Sequence, residues 1–273
     1  MTNQVIYIGT YTQQTGNPPH RPESIYCFNL DEATGELTLR ETIKDVINPS
    51  FLTFSADRLR LFTVNETSEF AGVSGGGVSS LRRVDDASPF SPINSQPTHG
   101  GAPCYVRLSE REKWLLVANY LGGVTALPID DDGGLGAAKT IYLDESGKYT
   151  SHPHCAVFDP SGRYLFVADL GRDQVLIFAW NNETGALIEH SHVDTVKGAG
   201  PRHIEFHRNG RFVYVTNELD STLGAYSFDA SQGTLTHIQT VSTLPADWAG
   251  EKSARICGFQ RVRSLPVQFQ SRT

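Results

Sequence analysis

Residues Gly200–Glu218, GPRHIEFHRNGRFVYVTNE, have the sequence pattern of one β-hairpin. Two runs rich in β-branched and aromatic residues flank the dipeptide Asn209-Gly210, and Asn-Gly between such runs is a strong hairpin signal. An antiparallel hairpin brings its two open ends together. Arg202 is therefore expected beside Glu218, with a cation and an anion at one rim of a sheet.

The same hairpin pattern occurs four times along the chain. In every copy a proline and a later asparagine or aspartate have the same separation, and the copies start roughly 50 residues apart. The four copies are Pro49–Asn65, Pro103–Asn119, Pro153–Asp169 and Pro201–Asn217. A constant internal spacing with variable connections is typical of a repeat architecture.

Two further strands around a tight turn are predicted after each hairpin. The turn glycines Gly185 and Gly233 follow the Asp or Asn of their copy at the same separation that lies between the proline and the Asp or Asn. Four short strands in roughly 50 residues indicate a β-propeller blade, so the predicted fold class is all-β, a propeller of four-stranded blades. Stacked sandwiches or an open solenoid are the alternatives. Because 5–11 resembles a second strand, the chain is expected to begin one strand into a blade.

Charge, cysteine content and hydrophobicity argue against several classes of binding partner. The net charge of −7 and the pI near 5.7 argue against a nucleic-acid partner, which would require a basic stripe. The four cysteines have no CxxC spacing and suggest no disulfide framework. No signal peptide precedes Val5, and no apolar run approaches membrane-spanning length. These features predict a cytoplasmic protein with no membrane partner.

Repeat symmetry predicts where chemistry can occur. The first strand of each blade should line the central channel of a propeller. Equivalent positions then gather at one mouth of that channel, which are Ser50, Cys104, His154 and Arg202 after the prolines, and Glu66, Tyr120, Leu170 and Glu218 after the Asn or Asp residues. Variable residues at one rim of a constant scaffold indicate function.

Five of these residues are candidates for a site. His154 can act as a general base or acid, with a hydrogen-bonded structural histidine as the alternative. Arg202 can hold a carboxylate, a phosphate or a developing oxyanion, unless it only forms a salt bridge with Glu218. Glu218 could orient Arg202 or His154, or act as a base. Glu66 and Tyr120 are candidate substrate-binding residues through their repeat positions.

A metal site and a cofactor are not predicted. His152 and His154 are two residues apart and share a strand face, so His152 is a further candidate for substrate binding. A metal would need a third ligand at a recognisable spacing, and none follows. The glycines at 75–77 follow a strand but open no helix, which excludes a phosphate-binding loop. His203 neighbours Arg202 but should point the other way.

Three segments, SHPHCAVFDPSGRYLFVADLG (151–171), GAGPRHIEFHRNGRFVYVTNEL (198–219) and TLPADWAGE (243–251), resemble the seven-bladed propeller lactonases. This family includes propeller-type 6-phosphogluconolactonases and carboxymuconate cyclases, and the resemblance covers 5–251. In the muconate enzymes a histidine, an arginine, a glutamate and a later arginine are proposed active-site residues. The first three coincide here with His154, Arg202 and Glu218, while the later arginine has no counterpart before 251.

The resemblance implies a lactonase that opens a sugar lactone by water attack, with 6-phosphogluconolactone as the expected substrate and no cofactor. His154 would activate water or protonate the leaving oxygen. Arg202 would stabilise the oxyanion or bind an anionic group, and Glu218 would orient the pair. A lactonising cyclase acting on a muconate-type diacid and a non-catalytic binding platform are the alternatives. A complete protein of this kind is expected to be a monomer.

The C-terminal sequence breaks the repeat. A seven-bladed ring needs roughly 350 residues at this spacing, and about five blades are recognisable. From about Ser253 the chain turns basic and has no strand–turn–strand pattern. We therefore expect residues 1–251 to form a partial propeller and 252–273 to be a non-native or disordered tail, as after a frameshift or premature stop. Such a chain is expected to have open blade edges and little or no activity.

Overall fold

The computed structural model describes residues 4–13, 23–142, 151–259 and 266–270, and every regular element in these ranges is a β-strand. In the described part of the chain, nothing forms a helix with the length and apolarity needed to cross a membrane. The strands are β1 (Gln4–Gly9), β2 (Ile25–Leu30), β3 (Leu37–Ile43), β4 (Leu52–Phe54), β5 (Arg60–Asn65), β6 (Glu69–Phe70), β7 (Val73–Ser74), β8 (Gly77–Arg82), β9 (Ser91–Pro97), β10 (Gly101–Leu108), β11 (Trp114–Leu121), β12 (Gly123–Pro128), β13 (Thr140–Tyr142), β14 (Pro153–Phe158), β15 (Tyr164–Asp169), β16 (Gln174–Asn181), β17 (Ala186–Asp194), β18 (Pro201–Phe206), β19 (Phe212–Asn217), β20 (Thr222–Asp229), β21 (Thr234–Ser242), β22 (Ala254–Phe259) and β23 (Pro266–Gln270).

These strands form consecutive antiparallel sheets, which we call blades. Blade 1 has the order β1-β2-β3, and blade 2 has the order β4-β5-β8-β9. Blades 3, 4 and 5 follow as β10 to β13, β14 to β17 and β18 to β21, each in sequence order. The prediction of an all-β chain with four-stranded blades and a three-stranded first blade is confirmed. The small hairpin β6–β7, inserted between β5 and β8, was not predicted.

Burial decreases from the inner strands of each blade to the outermost. The second strands β11 and β15 are buried along almost their whole length, whereas the fourth strands β17 and β21 are largely exposed. A strand covered on both faces requires a continuous apolar run, and LFVA in β15 is such a run. The main core joins blades 3, 4 and 5 and includes Trp114, Phe166 and Tyr226.

A β-bulge interrupts the first strand in three blades. The register shifts lie between Pro103 and Tyr105, between Pro153 and Cys155, and between Pro201 and His203. The extra residue is therefore Cys104, His154 or Arg202, the residue after the repeat proline in each case. A bulge leaves its extra residue out of the ladder and re-aims the side chain. The candidate site residues His154 and Arg202 therefore lie outside the regular pairing of their strands.

A repeated hydrogen-bond geometry closes the hairpins. The residue after the repeat Asn or Asp donates its backbone N–H to the carbonyl that precedes the repeat proline. These bonds are Glu66 to Asn48 (3.1 Å), Leu170 to His152 (3.0 Å) and Glu218 to Gly200 (2.7 Å). The same bond in three blades supports the equivalence of these positions.

The segment after Ser253 differs from the expected pattern. β22 and β23 pair antiparallel, so two paired strands are present where no strand pattern was predicted. Ile256 and Phe259 in one strand and Val267 and Phe269 in the other have high strand propensity, which the interspersed Arg, Gly and Gln residues obscure in the sequence. The non-native or disordered character of 252–273 stays a prediction.

The turn glycines of two blades pack against aromatic rings of the preceding blade. Gly233 has φ +64°, and a Cβ there would lie 2.4 Å from the ring of Tyr164. Gly185 has φ +74°, and its Cβ would lie 2.4 Å from the ring of Trp114. Gly35 forms the corresponding turn of blade 1 with φ +76°, but nothing lies within 4 Å of its Cβ position. Glycine is therefore required at 185 and 233 for two reasons: the positive φ of the turn and the close contact with the preceding blade.

Gly233→Ala should lower the free energy of unfolding by about 2–4 kcal/mol, from the positive φ and from the clash with Tyr164. Gly35→Ala is the matched control, because it has the same backbone strain without the clash and should cost about 1–2 kcal/mol. Urea denaturation of both variants measures the difference. Equal losses would show that the contact between blades adds nothing.

Candidate active site

An ion pair joins the ends of β18 and β19. Arg202 Nε lies 2.7 Å from Glu218 Oε2, and the side chains are 15% and 22% exposed. Pro201 pairs with Asn217, so the bulged Arg202 lies beside Glu218, the residue that follows β19, as the hairpin pattern predicted. The guanidinium is consequently held in one orientation by a carboxylate at the rim of the blade.

The two histidines at the start of β14 contact one tyrosine from blade 3. The rings of Tyr120 and His152 are stacked, with centroids 4.5 Å apart and an interplanar angle of 10°. His152 Nδ1–H donates to the Tyr120 carbonyl oxygen at 2.9 Å. The ring of His154 meets Tyr120 edge-on at 6.1 Å. Three of the predicted site residues therefore form one aromatic group.

Electrostatics connects this group with the ion pair. The pKa of Tyr120 is raised, first by burial and then by the negative charge of Glu218, while Arg202 acts in the opposite direction. The ring of His154 is 6.1 Å from that of Tyr120 and 5.4 Å from that of His203, which follows Arg202 directly in β18. These contacts bring the aromatic group and the ion pair together at one site.

Cys104 connects Glu66 to the same rim. Its Sγ lies 3.7 Å from the carbonyl oxygens of Pro153 and His154. Burial raises the pKa of the Cys104 thiol far above its usual value, Glu66 raises it further, and Arg202 opposes the shift. The thiol is thus protonated and unsuited to nucleophilic attack, and both Glu66 and Arg202 are close enough to act on it electrostatically.

Asp169 holds the segment before His154 in place, although it was not among the predicted site residues. Its carboxylate is fully buried; Oδ1 accepts the backbone N–H groups of His152 at 2.8 Å and Arg172 at 3.1 Å. Ser151 donates its hydroxyl to Oδ2 at 2.5 Å. Asp169 therefore fixes the segment that leads into His154. The available signal was that this repeat position is Asp in one blade and Asn in the other three.

The ring of His203 lies next to the site, contrary to the expected alternation. It is 5.4 Å from the ring of His154, and it also contacts Tyr105 and Phe51 at 5.8 and 6.4 Å. The bulge at Arg202 adds one residue to the strand, so counting alternate residues gives the wrong neighbours. Burial, assisted by the charge of Arg202, lowers the pKa of His203 to about 3.

This low pKa predicts a pH dependence of stability. Between about pH 6.5 and pH 3 the unfolded chain binds a proton at His203 that the folded protein does not, so the free energy of unfolding should fall as the pH is lowered through this range. His203→Gln removes this contribution, and its unfolding free energy should change less between pH 7.5 and pH 5. Urea denaturation at the two pH values measures the difference. An unchanged pH dependence would contradict the assignment.

The arrangement suits proton transfer beside a bound oxygen anion. A histidine lies in one rim with an arginine held by a carboxylate, and aromatic rings surround the histidine. The eighth rim position, Leu170, is apolar and 8% exposed, so it contributes packing. All six residues predicted for the site thus lie at the same ends of the inner blade strands.

Comparison with known proteins shows which family the chain resembles. A family model described as "Lactonase, 7-bladed beta-propeller" matches residues 5–258. The 6-phosphogluconolactonase of Bacillus subtilis is 29% identical over 254 residues, which are 91% of this chain and 69% of the relative. The 6-phosphogluconolactonase of Serratia proteamaculans is 30% identical over 261 residues, covering 92% and 69%.

A solved structure supports the same relationship. The periplasmic gluconolactonase of Pseudomonas aeruginosa superposes with a TM-score of 0.83 at 29% identity, over 94% of this chain and 72% of that one. The residues matched by the family model include all five blades and every candidate site residue. The chain belongs to the seven-bladed β-propeller lactonase family.

Proposed function

We propose that this protein is a lactonase that hydrolyses a sugar lactone, with 6-phosphogluconolactone as the substrate and 6-phosphogluconate as the product. Family membership and the names of the relatives support the reaction class. One observation assigns the reaction to particular residues. The ion pair of Arg202 Nε and Glu218 Oε2, 2.7 Å apart, lies at the rim that also holds His154.

The mechanism assigns one step to each residue. His154 takes a proton from water as the water oxygen attacks the lactone carbonyl carbon. Arg202 stabilises the negative charge that develops on the carbonyl oxygen, and Glu218 keeps the guanidinium oriented towards it. The bond from the carbonyl carbon to the ring oxygen then breaks, and the ring oxygen receives the proton from His154. Tyr120 and His152 contact the substrate from the blade 3 side.

The test compares substrates on the wild-type chain. Rates with 6-phosphogluconolactone and with carboxymuconolactone are measured above spontaneous hydrolysis, at high protein concentration because low activity is expected of this chain. Preferential opening of the sugar lactone supports the proposal. Preference for carboxymuconolactone would favour the cyclase alternative, in which Arg202 holds a carboxylate. Binding without turnover of either lactone would favour a binding platform.

Other properties of the protein stay predictions. The cytoplasmic location, the monomeric state and the absence of a membrane partner follow from the sequence argument alone. Fractionation of cells that express the chain and light scattering of the purified protein measure them.

A further inference from the structure

The segment that leaves β1 is fixed against blade 2 at the rim of the site. Asn48 is buried, and its Oδ1 accepts the backbone N–H groups of Thr12 and Gln13, each at 2.9 Å. Its Nδ2 donates to the carbonyl oxygen of Glu66 at 3.0 Å. The Asn48 side chain therefore joins the segment after β1 to Glu66, a rim residue of blade 2.

A close backbone approach brings the two blades together at this point. A Cβ at Gly9 would lie 1.7 Å from the carbonyl oxygen of Pro49, so only glycine permits the contact. Tyr11 follows two residues later and Ser50 follows Pro49 directly. The approach thus places Tyr11 next to the first rim position of blade 2.

Three side chains form a polar cluster there, which we call the blade 2 cluster: Tyr11, Ser50 and Glu66. Ser50 Oγ–H donates to Glu66 Oε2. The pKa of the Tyr11 hydroxyl is raised by burial and then by the charge of Glu66, and Ser50 acts in the opposite direction. The phenol is therefore protonated at neutral pH and can donate a hydrogen bond. Tyr11 is 45% exposed, so the cluster is open to a ligand.

The blade 2 cluster lies across Cys104 from the ion pair. Both Glu66 and Arg202 act on the pKa of the Cys104 thiol, with opposite signs. Ser50 and Glu66 are hydrogen-bonded to each other on blade 2, whereas Arg202 and its partner Glu218 are on blade 5. A ligand that spans these blades would contact hydroxyl and carboxylate groups on blade 2 and the Arg202–Glu218 pair on blade 5.

We propose that Tyr11, Ser50 and Glu66 form the subsite that binds the ring hydroxyl groups of the lactone, a deepening that rests on the proposed function. A carboxylate only accepts hydrogen bonds, while tyrosine and serine hydroxyls both donate and accept, and this set matches neighbouring sugar hydroxyls. The charge of Glu66 disfavours a carboxylate or phosphate at this position. The subsite thus selects a polyhydroxylated lactone and turns its carbonyl towards Arg202 and His154.

The test compares a lactone with hydroxyl groups and one without them. Tyr11→Phe should lower kcat/KM for δ-gluconolactone by about 5- to 10-fold, mainly through KM, because one hydrogen bond to the ligand is lost. Its kcat/KM for δ-valerolactone should stay within about 2-fold of the wild-type value, because that substrate has no hydroxyl to bind. Glu66→Gln should show the same discrimination.

Tyr7→Phe is the matched control, because Tyr7 lies in β1, four residues before Tyr11, and its ring packs against Phe54 and Phe90. It should leave the ratio of the two substrates unchanged. If Tyr11→Phe lowers kcat/KM equally for both lactones, or for neither, the proposed subsite is refuted.

Binding of D-gluconate, measured by calorimetry, separates this inference from the proposed function. A wild-type chain that opens no lactone but binds gluconate more tightly than Tyr11→Phe would refute the function and retain the subsite. A wild-type chain that opens the lactone while Tyr11→Phe binds gluconate equally well would retain the function and refute the subsite. A chain that neither opens lactones nor binds gluconate refutes both.

Discussion

His154→Ala should open 6-phosphogluconolactone about 10²- to 10⁴-fold more slowly than the wild-type chain, expressed as kcat after subtraction of spontaneous hydrolysis. The expected size is that of a general base removed from the attack of water. KM should change little, because in this mechanism His154 acts on water rather than on the bound lactone. The loss should therefore appear in the chemical step.

The control is His192→Ala, since His192 is on the outer strand β17, far from the rim in strand order. It should retain the wild-type rate. The pH profile adds a second readout, because the His154-dependent rate should rise with pH as an imidazole loses its proton, and His154→Ala should lack this rise. Equal rates for His154→Ala and the wild-type chain would remove His154 from the mechanism.

Contacts within one hairpin could be predicted from the sequence. The separation of Pro201 from Asn217 sets the hairpin length, so the adjacency of Arg202 and Glu218 follows from antiparallel pairing alone. The blade arrangement follows in the same way from four copies of that pattern. Antiparallel pairing within one hairpin therefore predicts the adjacency of Arg202 and Glu218, and repetition of that hairpin predicts the fold.

Contacts that depend on a bulge or on two blades could not be predicted. The ring of His203 meets His154 because an extra residue at Arg202 breaks the alternation, and no residue type signals that insertion. Tyr11 lies near Glu66 because Asn48 holds the segment after β1 against blade 2, and Asn48 is 36 residues from Thr12 along the chain. Sequence periodicity describes one strand or one blade, whereas these neighbours arise from how consecutive blades pack.

Glu218 and Asp169 hold the candidate site in different ways. Asp169 is fully buried and accepts the backbone N–H of His152, so it fixes the segment that leads into His154. Glu218 is partly exposed and binds the guanidinium of Arg202. One carboxylate therefore acts through the backbone, and the other acts through a side chain.

Arg202→Met should lower kcat/KM for 6-phosphogluconolactone by about 10²- to 10³-fold, the cost of removing one charged donor from a developing oxyanion. Arg202→Lys should recover only part of this loss, because an ammonium retains the charge but not the planar fork that pairs with Glu218. Glu218→Gln should have a smaller effect than Arg202→Met, since the cation remains and only its orientation is weakened.

A double variant distinguishes catalysis from the cost of an unpaired carboxylate. Arg202→Met leaves Glu218, only 22% exposed, without this cation, which can itself destabilise the rim. Arg202→Met/Glu218→Gln removes that charge, so its thermal unfolding temperature should return towards the wild-type value. Its kcat/KM should remain as low as that of Arg202→Met, because the oxyanion still lacks its donor. Recovery of activity in the double variant would show that Arg202 serves the fold of the rim and not the reaction.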